Sequence, residues 1–456
     1  MERLQCSFLA PARHENRVFS GAWAFWNKDG GAKYLLSKNG CSVLLRDAQF
    51  RELERGTPGR ALCETLSSRG LSHLSGAPNR FDGEALDETD VRPDYFVVDL
   101  TRACNFNCAY CFRDLSDSRT IDRGTLRDIC GAIDRAARDE HLRGLRIQLW
   151  GGEPLCAMDR IRDVLQYFKD KPYAVGFDLE TNASLATEEI ARELFEHRVR
   201  VGVSLDGSPA QHDAQRVFCD GKPTSDAVLR GVRALQSAYG KHLGGICVVT
   251  KKNYRDLGEM AAFWRELGLS GIKCNLVRDN PNAPEKSLAL DAEQTAEFAR
   301  ELYSLWEAYS LLGGGFSEGN LEMRWANLTR RANENCCLCR GCTGGRRIVS
   351  FDAKGDIYPC EMMDYPKQKL GSVYDPSPIA EQIAASLPQT GFAERREKRE
   401  CAECPWRYFC RGGCTSRVRY LGRPNDVDET ECRLNQIWYP RLVERLLRLA
   451  DAGRAV

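Results

Sequence analysis

The chain has 456 residues, with 65 lysines and arginines against 64 aspartates and glutamates and a formal charge of +1. A composition of 43% hydrophobic and 28% charged residues is ordinary for a folded chain of roughly two to four domains and excludes collagen, coiled coil and disorder. Near-neutral charge argues against a nucleic-acid binder. No run of ~18 apolar residues and no N-terminal apolar segment occurs, so no membrane association and a cytoplasmic location are expected.

Residues 1–81 read as a small α+β module. WAFWN and AKYLLS flank Asp29-Gly30-Gly31, a hairpin signal, and CSVLLRD is strand-like. AQFRELERG and GRALCETLSSRG are helical patterns stopped by Gly. Two strands with two or three helices suggest a winged-helix-like unit. It holds 12 basic against 7 acidic residues, a local +5, and is followed by an acidic linker over residues 82–94.

From Tyr95 apolar strands alternate with amphipathic helices. YFVVDL, LRIQLW, AVGFDLET, VRVGVSLDG, GGICVVT and GIKCNLV are six strand candidates, which predicts parallel strands joined by right-handed crossovers. Six units over residues 95–312 fit a partial (β/α)6 barrel. Residues 313–435 are Cys-rich and irregular, and residues 436–456 form a last amphipathic helix.

Twenty-one cysteines are the outlier in this composition. Disulfides concentrate in small secreted domains, so an odd count here points to metal. Directly after the first strand, DLTRACNFNCAYCFRD spaces Cys104, Cys108 and Cys111 as CxxxCxxC. Three thiolates can hold three irons of a 4Fe–4S cube and leave the fourth iron open, as catalysis needs. A zinc knuckle with a remote fourth ligand is the bland alternative, but the six histidines show no paired ligand spacing.

This triplet, with Tyr110 before its last Cys, resembles the radical S-adenosylmethionine (SAM) superfamily. The second strand runs into Gly151-Gly152-Glu153-Pro154, similar to that family's GGEP motif, where backbone and Glu hold the SAM ammonium. Glu180-Thr181-Asn182 and Ser204-Leu205-Asp206-Gly207 look like its ribose- and carboxylate-side positions, which makes Asn182 and Ser204 cofactor-binding candidates. All of these fall at C-terminal strand ends, where α/β barrels build their sites.

The later cysteines resemble the SPASM extension of the same superfamily. CAECPWRYFCRGGC sets Cys401, Cys404, Cys410 and Cys414 as CxxCx5Cx3C, and Gly355 with Cys360 forms Gx4C. The resemblance implies two auxiliary 4Fe–4S clusters, one on Cys342, Cys360, Cys414 and Cys336, the other on Cys401, Cys404, Cys410 and Cys432. Cys337 and Cys339 compete with Cys336, and a pair of zinc ribbons is the alternative. Glu361, after Cys360, stands where sulfatase-maturing relatives carry an acidic base. The remaining cysteines (Cys6, Cys41, Cys63, Cys130, Cys156, Cys219, Cys247, Cys274) read as small core residues.

The family's chemistry implies reductive SAM cleavage to a 5′-deoxyadenosyl radical and hydrogen abstraction from a peptide or protein. A flavodoxin- or ferredoxin-type electron donor and a precursor peptide are the expected partners. The first expectation is a maturase of a ribosomally made peptide, installing a thioether or carbon–carbon crosslink or an epimerised centre. A formylglycine-forming sulfatase maturase and a non-catalytic iron–sulfur or zinc scaffold are the alternatives.

Overall fold

The computed structural model describes the chain except residues 1–13, 20–21, 28–29, 38–39, 76–90, 115, 279, 281, 312–315, 331–336, 338–341, 364–365, 391–400, 402–403, 421–426 and 455–456. The N-terminal elements are β1 (His14–Phe19), β2 (Ala22–Asn27), β3 (Ala32–Ser37), β4 (Ser42–Arg46), α1 (Asp47–Glu54) and α2 (Arg60–Ser68). β1 to β4 form an antiparallel meander in chain order. The module thus has four strands and two helices, where the sequence suggested two strands with two or three helices. Most of the acidic linker lies outside the described residues.

β3 is buried along its whole length because both faces of the meander are covered. Ala22, Ala24, Leu35, Val43 and Leu45 pack under Phe50 and Leu53 of α1 and Leu62 and Leu66 of α2. Trp23, Phe25, Tyr34 and Leu36, on the other face, join the main core of the protein. AKYLLS therefore lacks the polar alternation of a half-solvated strand. The module is not a freely tethered unit: its second face is seated on the body of the molecule.

The body contains β5 (Tyr95–Thr101), β6 (Phe106–Cys108), α3 (Arg123–Asp139), β7 (Gly144–Gly151), α4 (Met158–Phe168), β8 (Ala174–Thr181), α5 (Glu188–Glu196), β9 (Val199–Ser204), α6 (Pro209–Asp213) and β10 (Arg216–Phe218). Then follow α7 (Ser225–Tyr239), β11 (Gly244–Val249), α8 (Leu257–Glu266), β12 (Gly271–Leu276), α9 (Ala292–Leu311), β13 (Ser317–Glu318) and α10 (Gly319–Thr329). The C-terminal segment adds β14 (Ile348–Phe351), β15 (Asp356–Tyr358), β16 (Gly371–Ser372), α11 (Ile379–Ser386), α12 (Arg407–Cys410), α13 (Thr415–Tyr420) and α14 (Glu429–Asp451).

The six expected strands are β5, β7, β8, β9, β11 and β12, which pair in parallel in chain order within one large sheet. Order in space equal to order in sequence means that every crossover turns the same way. The inward positions include a polar network: Asp178 accepts from both Arg146 and Arg200, and Tyr95 Oη lies 3.1 Å from Gln148. The outward positions Leu145, Ile147, Leu149 and Leu179 are buried against the helices. This is the partial (β/α)6 barrel.

The C-terminal segment extends the same sheet. β14 pairs in parallel with β5, from Ile348 beside Tyr95 to Phe351 beside Val98, and β15 and β16 follow antiparallel. α14 starts at Glu429, with Asp428 as N-cap accepting from Glu431 N and two acids in the first turn. The helix therefore begins before residue 436 and carries Cys432. No helix among the described residues is long and apolar enough to cross a membrane.

Candidate active site

The cysteine loop leaves β5 and is held by its own backbone. β6 pairs antiparallel with β10, setting Cys108 opposite Arg216 and Phe106 opposite Phe218, whose rings meet edge-on at 5.2 Å. The Gly-Gly-Glu turn after β7 lies directly on the start of this loop. Gly152 N donates to Thr101 O at 2.8 Å and Glu153 N to Ala103 O at 2.9 Å. A Cβ on Gly151 would stand 2.6 Å from Thr101 O, and one on Gly152 would meet Ala103 O and stand 2.7 Å from Arg102 O. Both positions need glycine because two backbones touch there.

Glu153 is buried, and its carboxylate accepts from Thr181 Oγ1 at 2.6 Å, Asn182 N at 2.7 Å and Leu155 N at 3.0 Å. Burial pushes this carboxyl up and the three donors oppose it. Glu153 thereby clamps the end of β7 to the end of β8. Asn182 then donates to Asn105 in the cysteine loop at 2.9 Å, and Asn105 to Ser184 at 2.8 Å. Ser204 ends β9, half-buried, beside Ile246 of β11. The structure thus gathers Tyr110, Gly151, Gly152, Glu153, Asn182 and Ser204 around the ends of four neighbouring strands.

Motif reading took in Asp206 only as part of the Ser204–Gly207 turn and missed its partner Arg216. Asp206 is fully buried and accepts from Arg216 Nε at 2.9 Å, Arg216 Nη2 at 3.2 Å and Val248 N at 2.9 Å. Tyr110 Oη also donates to it, and the Arg216 guanidinium lies over the Tyr110 ring. The strand paired with β6 thus carries the cation that fixes both the aromatic of the cysteine loop and the acid after β9. The RVF run is too short to read as a strand from sequence.

The three thiols lie within electrostatic reach of one another, and Phe106 N donates to Cys104 Sγ at 3.4 Å. Burial, first among the causes, raises all three, Cys108 to about 12. Thiols so placed ionise only against a strong cationic partner.

Residues 98–263 match the family model described as Radical SAM superfamily. The chain carries a radical SAM domain. It is 25% identical over 368 residues to the cysteine-type anaerobic sulfatase-maturating enzyme of Clostridium perfringens, covering 78% of this chain and 97% of that protein. Its fold is shared with native anSMEcpe with bound AdoMet and a peptide (TM-score 0.67, 19% identity, 78% of this chain and 99% of that one). It is also shared with Streptococcus suis SuiB bound to precursor peptide SuiA (TM-score 0.58, 14% identity, 92% of this chain and 98% of that one).

A radical SAM domain works with a 4Fe–4S cluster and SAM, and the cysteine loop fits the cluster. Three half-buried thiols lie within electrostatic reach of one another on one loop, a backbone N–H faces one sulfur, and cationic Arg216 acts on Cys108. A cavity of about 310 Å³ opens beside Tyr110, lined further by Val277, Arg278, Asn280 and Glu285.

The Cys-rich segment of this radical SAM enzyme brings its thiols into two groups. Cys360 feels Cys342 and Cys414, whereas Cys410 feels Cys404 and Cys432. Cys404 N donates to Cys401 O at 3.1 Å, so Cys401 adjoins the second group. Cys336 and Cys339 lie outside the described residues, and Cys337 O accepts from Thr343 N at 3.0 Å. Glu361 is half-buried within electrostatic reach of Glu180 on β8 and of Arg278. Burial raises the Glu361 carboxyl and brings Glu180 up to about 7.

Two cysteines read as core residues are not. Cys156 and Cys219 are exposed and flank the cysteine loop, with Cys219 Sγ 3.5 Å from Cys104 O. Their chain neighbours are short turns at the strand ends, whereas Cys130, Cys247 and Cys274 are buried as expected. Cys6 lies outside the described residues.

Proposed function

We propose that this radical SAM enzyme is a SPASM-type peptide maturase, with SAM and the catalytic cluster on Cys104, Cys108 and Cys111 and two auxiliary clusters in the Cys-rich segment. The observation that carries the reading is the cavity between Tyr110 and Arg278: one wall belongs to the cysteine loop, and Arg278 reaches the Cys414 group. Such an arrangement suits a substrate held between two iron–sulfur centres. Gly151, Gly152, Asn182 and Ser204 would hold SAM, with Glu153 fixing the turn. A cluster held by Cys104, Cys108 and Cys111 would supply the electron for SAM cleavage. The barrel's inward polar residues then position the peptide, and half-buried Glu361 would take a proton from it.

The similarity to SuiB, whose structure holds its precursor peptide, supports a ribosomally made peptide as substrate. The similarity to the Clostridium perfringens enzyme and the acid after Cys360 favour sulfatase maturation as the second reading. Reconstituted enzyme incubated in D2O with SAM and candidate peptides separates them by mass. A crosslink removes two hydrogens, epimerisation adds a deuteron, and formylglycine formation turns a Cys or Ser side chain into an aldehyde. A Cys104/Cys108/Cys111→Ala protein should lose about four irons and all deoxyadenosine production. Deoxyadenosine from that variant would refute the radical reading.

A further inference from the structure

Arg278 follows β12 and reaches from the barrel to the Cys-rich segment. It lines the cavity beside Tyr110, and its Nη1 donates to Ser416 Oγ at 3.0 Å. That hydroxyl lies 3.0 Å from Cys414 Sγ. The guanidinium also lies within electrostatic reach of Cys414 and of Cys360. The other charges nearby largely answer one another: Arg417 Nε pairs with Asp428 at 3.2 Å, and Asp428 is in turn held by Cys414 N at 3.3 Å. Glu361, next to Cys360 in the chain, lies within electrostatic reach of the same guanidinium. Arg278 is thus a fixed cation between the cavity and one thiol group, anchored by a neutral hydroxyl.

We propose that Arg278 is a positioning residue that raises the reduction potential of the auxiliary cluster on Cys342, Cys360 and Cys414, so that this cluster accepts an electron from the cavity side. The inference rests on the auxiliary-cluster reading given above. A guanidinium stays protonated at every working pH and carries its donors in a rigid fork. A positive charge beside the thiolates favours the state with one more electron, and net charge and hydrogen bonds to sulfur are what set such potentials. The change is one electron passing from the carbon-centred substrate radical that hydrogen abstraction would leave in the cavity to the cluster: the substrate radical is oxidised, the cluster is reduced, and no proton moves in the transfer itself.

The test uses full-length, anaerobically reconstituted protein carrying Cys104/Cys108/Cys111→Ala, so that only auxiliary centres remain. A redox titration followed by electron paramagnetic resonance reads both centres, and the one on Cys401, Cys404, Cys410 and Cys432 serves as internal reference. In Arg278→Gln the affinity of the first centre for the electron should fall about tenfold, 59 mV for a one-electron couple. Arg278→Lys should restore most of it, and the reference centre should not move. Equal potentials for the Arg and Gln proteins, or a shift of the reference centre alone, overturn the proposal. If Arg278→Gln does not retain the first centre, Ser416→Ala decides: it keeps the charge but frees the guanidinium. A downward shift there supports the role, and an unchanged potential overturns it. A parent protein without iron would instead refute the auxiliary-cluster reading and take this inference with it.

Discussion

Arg216 grips Asp206 through two contacts, at 2.9 and 3.2 Å, with both side chains buried. The pair joins β10, which backs the cysteine loop, to the turn after β9, and Tyr110 is tied to the same carboxylate. Breaking it from one side leaves a buried charge alone, which costs about 3–5 kcal/mol. Arg216→Met should lower the melting temperature and release iron during desalting. Asp206→Asn with Arg216→Met should recover part of the loss. If the single and double variants melt together, the pair does not couple.

Gly152 tests the contact between the Gly-Gly-Glu turn and the cysteine loop. A methyl there runs into Ala103 O and stands 2.7 Å from Arg102 O, both backbone atoms that cannot swing aside. Overpacking of this kind costs about 1–3 kcal/mol and moves the loop that carries Cys104. Gly258→Ala is the control, since it opens into free space on α8 and should gain no more than about 1 kcal/mol. Iron retention should fall for Gly152→Ala and hold for Gly258→Ala.

The strands and the cysteine spacing were legible because each is a local pattern. YFVVDL or GIKCNLV declares its strand within six residues, and CxxxCxxC needs only one loop. Arg216 and Arg278 were not: Arg216 is placed by the pairing of its strand with β6, more than a hundred residues earlier, and Arg278 meets Ser416 across 138 residues. The burial of both meander faces was hidden for the same reason. WAFWN and AKYLLS announce apolar strands but not that α14 covers them. Cys156 and Cys219 failed as core residues because composition says nothing about which turn faces solvent.

Glu180 gives the barrel interior a pH signature. Burial, with Glu361 adding to it and Lys273 opposing it, lifts its carboxyl to about 7, against about 4.3 for a free glutamate. A raised acid favours the neutral form in the folded state, so its contribution is complete below about pH 4.3 and is lost as pH rises through about 7. The loss is on the order of 3 kcal/mol. Glu180→Gln cannot ionise there, so its melting temperature should gain on wild type between pH 5 and pH 8. Parallel curves over that range would show that Glu180 ionises freely.

The N-terminal module raises a question that deletion alone cannot answer. The Phe25 ring stacks on Trp406 at 5.5 Å, and Trp406 on Tyr439 of α14 at 5.1 Å. Tyr34 Oη donates to Leu328 O at 3.1 Å, and Asp451 accepts from Ala32 N at 2.8 Å. Removing residues 1–81 would bare this aromatic face on the segment that carries Cys404 and Cys410. Aggregation and iron loss are therefore expected from the truncation whether or not the module binds peptide. Phe25→Ala should reproduce the damage at about 3–5 kcal/mol by emptying the stack. A docking role needs variants that leave the stack intact, such as Arg60→Glu at the exposed start of α2 or Arg69→Glu at the half-buried position just after it. These should keep iron and melting temperature. If the module is a docking surface for an acidic leader, they should also weaken binding of a labelled peptide in fluorescence anisotropy. Unchanged anisotropy with both variants would leave the module as a cover for the auxiliary segment, held there by Phe25 and Trp406.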